Sequence, residues 1–142
     1  MTQSPPLDPR LGEAIFGFQD HLGFELSQWR EGFAVIEMPL APFLMNRQGI
    51  PHGGVHATLL DTAMGFAGCY TGDADNRRMA LTLSLTVNYL AKINGTRLIA
   101  TAQVTGGGLK TYFAEARIED ELGTLMATAT GVFRYVGTTS AG

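Results

Sequence analysis

The chain is poor in the groups that many chemistries need. It has one cysteine, Cys69, in 142 residues. No intrachain disulfide is possible, and no cysteine-rich zinc site can be assembled. Charge is scarce as well. Asp, Glu, Lys and Arg make up 16% of the chain, and ten basic side chains against thirteen acidic ones leave a net charge of -3. Duplex-binding domains are usually basic, so nucleic acid is not an expected partner. No apolar run approaches the ~20 residues of a membrane span, so no membrane association is expected. Residues 1–10 carry three prolines and Asp8 where a secretory signal needs an apolar stretch. The expected compartment is the cytoplasm. Serine is also rare, and none of Ser4, Ser27, Ser84 and Ser140 sits in a G-x-S-x-G elbow. A serine-hydrolase mechanism is therefore not expected.

What remains is apolar. Hydrophobic residues make up 45% of the chain, and mean hydropathy is +0.08. A disordered chain would be more charged and less apolar. The length suits one domain, since single cores run from about 100 to about 200 residues. We expect that domain to span 1–142, with loose ends at 1–8 and 137–142. The low charge also fits a surface partly covered by another subunit.

Sequence periodicity predicts the elements. Asp8 and Pro9 suit a helix start, and Ala14, Leu11, Ile15 and Phe18 keep helical spacing to about Gln19, with Gly23 ending the segment. Strands follow from Phe24, Leu26 and Gln28, then over 33–38 beyond a Glu31-Gly32 turn. Pro39 and Pro42 stop the second strand, and 39–52 is a loop. Residues 53–70 read as a helix despite their glycines. After a polar loop at 72–78 the period changes. Leu81, Leu83, Leu85, Val87 and Tyr89 alternate with Thr82, Ser84, Thr86 and Asn88, which predicts a strand. Asn94-Gly95 is a hairpin signal, and three more strands follow to about Tyr135. The expected fold is α+β: one antiparallel sheet, its last four strands a meander, with helices on one face.

The 53–70 helix holds the most unusual chemistry. Asp61 is its only carboxylate. At about 100° per residue it shares a stripe with Gly54, Thr58, Gly65 and Gly68, opposite Leu59, Ala63, Phe66 and Tyr70. The large face can pack on the sheet, while the small face lets a ligand approach Asp61. A poorly solvated carboxylate suits a nucleophile or base; the alternative is a hydrogen-bonded structural residue. His52-Gly53-Gly54 opens the helix. Its first backbone N–H groups have no intrahelical partners and can hold developing charge on oxygen. Gly53 and Asp61 lie eight residues apart, about 12 Å along a helix axis. One chain cannot bring both to one carbonyl, so a site using both needs two chains.

Other candidates carry less. His52 and His56 stand four apart, but Gly53 replaces the glutamate of H-E-x-x-H, and no metal site is expected. His21 reads as a surface or loop residue, and Cys69 as a buried inert thiol. The run Gly106-Gly107-Gly108-Leu109-Lys110-Thr111 has the wrong spacing for a phosphate-binding P-loop and reads as a hairpin turn, whose amides and Lys110 can still touch a phosphate.

Asn46-x-x-Gly49-x-x-His52-Gly53-Gly54, followed by Asp61, resembles the PaaI-type hotdog-fold acyl-CoA thioesterases. The resemblance covers about residues 10–136. It implies a hotdog fold, with an antiparallel sheet wrapped around a long central helix. It implies that Asp61 attacks the thioester carbonyl or activates water, and that the Gly53 N–H polarises that carbonyl. Asn46 and His52 would orient substrate or water, and Thr82 would help hold the water. Asn46, His52 and Gly53 of one subunit would face Asp61 and Thr82 of another. Coenzyme A would run along Ser84, Tyr89, Leu90 and Lys92 and against the turn Gly107, Gly108, Leu109, Lys110 and Thr111, with Arg77 and Arg78 as further anion partners. No separate cofactor is implied, because CoA is part of the substrate. A homodimer, paired into a homotetramer, is the implied assembly. Two other activities share this frame: an acyl-CoA-binding module without hydrolysis, and a dehydratase pairing His52 with Asp61.

Overall fold

The computed structural model describes residues 14–137. The expected helix start at Asp8 and Pro9, Leu11 and the two outermost tails lie outside them. The elements run α1 (Gly17–Leu22), β1 (Glu25–Arg30), β2 (Phe33–Pro39), a short 3-10 helix (Pro42–Leu44), α2 (Gly53–Ala67), β3 (Met79–Tyr89), β4 (Arg97–Gly107), β5 (Thr111–Glu119) and β6 (Leu125–Val136). The six strands form one antiparallel sheet in the order β1-β2-β4-β5-β6-β3. It curls around α2, as the hotdog resemblance implies.

The core lies between α2 and the concave face of the sheet. Leu59, Leu60, Ala63 and Met64 of α2 pack with Ile36, Met38, Leu98, Ile118 and Phe133 of the strands, all fully buried or nearly so. Each large side chain there contributes roughly 1.5–3 kcal/mol by burial. The C-terminal end of α2 is gripped from three strands. Trp29 Nε1 donates to the Phe66 carbonyl at 2.8 Å, Tyr112 Oη to the Met64 and Gly65 carbonyls at 3.1 Å, and Tyr135 Oη to the Gly68 carbonyl at 2.8 Å. These donors satisfy carbonyls that a helix end leaves open. Burial, with Cys69 and Tyr135 alongside, pushes the Tyr112 phenol above its ordinary pKa.

Four expectations need correction. Among the described residues the first helix begins at Gly17, so Ile15 and Phe16 lie outside it; it runs to Leu22, where left-handed Gly23 (φ 86°) caps it. Ile15 and Phe18 are exposed, and the buried side chain of α1 is Gln19, whose amide donates to the Phe24 carbonyl. Second, α2 ends at Ala67 rather than Tyr70, with Gly68 as its cap.

Third, the meander comprises only β4, β5 and β6. β3 pairs with β6 at the sheet edge and has no ladder with β4, so Asn94-Gly95 makes a crossover and not a hairpin. Asp120 anchors the crossover. Its carboxylate takes the N–H groups of Asn94 and Gly95, while Glu121 takes that of Thr96, which docks the crossover onto the β5–β6 turn. The Glu121 carboxylate lies against Gly95, where a Cβ would displace it.

Fourth, β3 does not alternate strictly. A bulge at Leu83 interrupts its register with β6, between the pairs Thr82–Phe133 and Ser84–Val132. An extra residue reverses the side-chain parity. Before it, Ala80 and Thr82 face α2; after it, Leu85, Val87 and Tyr89 do. Leu81 and Leu83 are left 59% and 58% exposed.

Candidate active site

The N-terminus of α2 is built by His52 and Tyr89 around Gly53 and Gly54. His52 is its cap, with Nδ1 accepting the Gly54 N–H at 2.8 Å. The His52 carbonyl takes the Val55 N–H at 2.9 Å. Tyr89 reaches in from the end of β3, and its hydroxyl donates to the Gly53 carbonyl at 2.5 Å. Both glycines answer to these neighbours. A Cβ at Gly53 would lie 3.2 Å from the Tyr89 oxygen, and one at Gly54 3.0 Å from His52 Nδ1. Among the described residues the Gly53 N–H has no acceptor, so one first-turn donor remains for a ligand.

Asn46 stands in the preceding loop, half-buried. Its Oδ1 accepts from the Gln48 and Ile50 N–H groups at 2.8 and 3.4 Å, and its own N–H donates to the Ile50 carbonyl. This turn sets the loop that delivers His52. The Asn46 side-chain amide N–H groups have no partner among the described residues.

Asp61 lies two turns further along α2. It is half-buried, and Thr82 Oγ1 donates to its Oδ1 at 2.7 Å. Thr82 therefore orients the carboxylate directly, and the β3 bulge is what aims it there. The pair borders a cavity of about 250 Å³ that continues past Gly65 to Phe66, Cys69, Trp29 and Phe16. The expected small face of α2 is open at Gly65, where a Cβ would meet nothing within 4 Å. Gly68 departs from that face: it lies buried beneath the Tyr112 ring.

The residues expected along CoA are dispersed. Ser84 lies on the outer face of the sheet, in a groove with Phe113, Glu115 and Val132, away from Asp61. Parity explains this, since the bulge turns Ser84 outward. Tyr89 is committed to Gly53, and Leu90 and Lys92 are exposed just beyond it. The turn Gly107, Gly108, Leu109, Lys110 and Thr111 is the expected hairpin, closed by the Gly108 N–H on the Thr111 carbonyl. Lys110 there joins Arg77, Arg78 and Arg134 around a cavity of about 350 Å³ that no acidic residue lines. Arg134 is opposite Thr111 in the β5–β6 ladder. Arg78 lies over the Tyr135 ring, 4.6 Å from its centroid, and borders both this cleft and the Asp61 cavity. Arg134 and Trp29 carried no local sequence signal, because strand pairing alone brings them to these cavities.

His56 faces inward, 6% exposed, with its ring 5.7 Å from that of Tyr89. Burial lowers its pKa, against an opposing pull from the His52 carbonyl. His52 and His56 thus serve different surfaces. Among the described residues no three His, Cys, Asp or Glu side chains are grouped to hold a metal ion. None of the described helices is long and apolar enough to cross a membrane.

Comparison with known proteins agrees with this fold. Residues 48–127 match the family model described as the thioesterase superfamily. The chain is 33% identical over 129 residues to the medium/long-chain acyl-CoA thioesterase YigI of Salmonella typhimurium, covering 80% of this chain and 83% of that protein. It is 30% identical over 122 residues to the acyl-coenzyme A thioesterase PaaI of Escherichia coli, covering 85% and 84%. Among solved structures, the BH2602 protein of Bacillus halodurans with CoA superposes with a TM-score of 0.72 at 30% identity, over 85% of this chain and 79% of that one.

Proposed function

The chain belongs to the thioesterase superfamily, as an acyl-CoA thioesterase of the PaaI-type hotdog kind, and from that premise we propose how its residues divide the work. A thioester carbonyl sits between two copies of the chain. The Gly53 N–H of one copy donates to the carbonyl oxygen. Asp61 of the other copy attacks the carbonyl carbon or takes a proton from an attacking water. The CoA thiolate leaves and is protonated, and water supplies the oxygen of the free acid. The observation that carries this reading is the Asp61–Thr82 pair at the mouth of an apolar cavity, on the same helix as the unused Gly53 N–H. Thr82 holds one carboxylate oxygen and leaves the other for the reaction. An oriented carboxylate and an amide donor are sufficient chemistry, because thiolate is a good leaving group.

Two features support the shared site. Gly53 and Asp61 are eight residues apart on one unbroken helix, about 12 Å along its axis. β3, which carries Thr82 and Tyr89, is an edge strand with Met79, Leu81 and Leu83 exposed and Leu90 exposed just beyond it. A long apolar edge is a template for pairing with another chain, so two copies joined along β3 are the minimal active unit, and pairing of dimers gives the tetramer. For the CoA phosphates the cleft of Arg78, Lys110 and Arg134 is the best-supported seat: it gathers cations in a chain of net charge -3. His52 acts here as helix cap, which speaks against the dehydratase reading.

The test is release of free thiol from aryl- and aliphatic-CoA esters, by wild type and Asp61→Asn, on species sized by light scattering. Turnover by a dimer or tetramer that falls at least about a hundredfold in the variant, the scale of losing a nucleophile or base, supports the mechanism. Near-normal turnover in Asp61→Asn, or an active monomer, overturns it. Binding of CoA esters without hydrolysis favours the binding module.

A further inference from the structure

We propose that Trp29 is the specificity-determining floor of the acyl pocket, restricting the enzyme to compact acyl groups: one aromatic ring or a medium-length chain. The inference rests on the thioesterase reading and adds the substrate class to it. The cavity beside Asp61 runs toward the C-terminal end of α2 and meets Trp29 with Phe66 there. Phe66 is five residues beyond Asp61, about 7.5 Å along a helix axis. The volume is about 250 Å³, and an apolar cavity of about 150 Å³ takes benzene. An aryl or medium-chain acyl group fits that space, and a longer chain would have to continue through Trp29 and Phe66.

The floor is also fixed in place. The Trp29 indole N–H is bonded to the Phe66 carbonyl at 2.8 Å. Its ring stands edge-on to Phe66 at 5.5 Å and to Tyr70 at 5.4 Å, both near perpendicular. Three independent restraints on one side chain prevent it from swinging aside for a longer substrate. Trp29 comes from β1 and Asp61 from α2, so the restraint on length is set by an element that takes no part in the chemistry.

The experiment compares kcat/KM for butanoyl- to dodecanoyl-CoA and phenylacetyl-CoA in wild type, Trp29→Ala and Trp29→Phe, with folding checked by circular dichroism. Wild type should prefer the compact esters. Trp29→Ala should raise the dodecanoyl-to-butanoyl ratio by about tenfold, the scale of a pocket altered by a few methylenes. Trp29→Phe, which keeps a ring but loses the indole N–H, should raise it by less. If truncation unfolds the protein, Trp29→Leu is read in its place. Folded variants that hydrolyse all esters in the wild-type order overturn the floor and leave the thioesterase reading standing. A wild type that prefers the longest ester also overturns it. Absence of hydrolysis by wild type with every ester overturns the thioesterase reading, and the floor with it.

Discussion

Asp61 and Asp120 are both carboxylates set against the core, and the protein treats them in opposite ways. Asp120 is 2% exposed and saturated. Its Oδ1 accepts from the Leu122 and Thr124 N–H groups and its Oδ2 from those of Asn94 and Gly95, all at 2.9 Å. Desolvation pulls its pKa upward, but those hydrogen bonds outweigh it and hold the carboxyl well below the usual carboxylate range. Asp61 is half-buried and, among the described residues, accepts one hydrogen bond, from Thr82. A carboxylate offers about four acceptor positions. Asp120 spends its capacity on joining the β3–β4 crossover to the β5–β6 turn; Asp61 keeps most of its own facing a cavity. A saturated carboxylate stabilises a fold, and one left unsaturated beside an apolar cavity is free to react.

The largest expected effects test that contrast directly. Asp61→Asn should lower kcat at least about a hundredfold and leave the melting temperature within a few degrees. Asp120→Ala should do the reverse: a melting temperature lower by on the order of 10 °C, because four backbone donors lose their acceptor, with kcat per folded molecule within about twofold. Calorimetry and thiol release on the same preparations decide it, and exchanged outcomes would break the comparison. Acid sharpens it. A depressed carboxyl contributes stability that is present above its unfolded pKa and lost as pH falls through the folded one. Wild type should therefore lose stability progressively below about pH 4, and Asp120→Asn should show a flatter acid limb. Parallel acid limbs would remove Asp120 as the cause.

The difference between the two residues was only half legible in the sequence. Asp61 could be singled out because helical periodicity is local: its stripe of small neighbours and its distance from Gly53 follow from position alone. Asp120 could not. Its four partners come from a crossover and a turn that lie together because β4 pairs with β5, which sets Ile99 opposite Glu119. The pairing of β3 with β6 instead of β4 misled the reading of Asn94-Gly95 as a hairpin, and other strand pairings hid Arg134 and Trp29. The β3 bulge defeated a different rule. Strict alternation puts Thr82 and Ser84 on one face, whereas one extra residue at Leu83 sends Thr82 to Asp61 and Ser84 to the outer surface.

A smaller effect is expected from Thr82→Val, which keeps the shape of the side chain and removes the hydroxyl that orients Asp61. A hydrogen bond to a charged group is worth at least about 1.5 kcal/mol, and at that lower end, expected for an exposed hydroxyl, kcat should fall by about tenfold, with Thr82→Ser recovering most of it. The residual rate should stay well above that of Asp61→Asn. If Thr82→Val and Asp61→Asn are equally impaired, Thr82 takes a direct part in the reaction, for instance by holding the water, and the picture of Asp61 acting with a single orienting partner fails.

The smallest effect concerns the other end of α2, where the proposed contribution is that of a backbone N–H donor and not of a side chain. His52 occupies the Gly54 and Val55 N–H groups, so Gly53 alone has a donor to offer, and the Tyr89 hydroxyl fixes the peptide that follows it. Tyr89→Phe keeps the ring over Gly53 and loses that bond. A neutral hydrogen bond contributes about 0.5–1.5 kcal/mol net, so the aim of the Gly53 donor should slacken and kcat should fall about threefold. KM should not change, because an oxyanion donor contributes most in the transition state. The opposite pattern, a raised KM with kcat intact, would mean that Tyr89 contacts coenzyme A, the role the family resemblance implied. The split between the two constants therefore decides whether the hydroxyl serves the helix or the substrate.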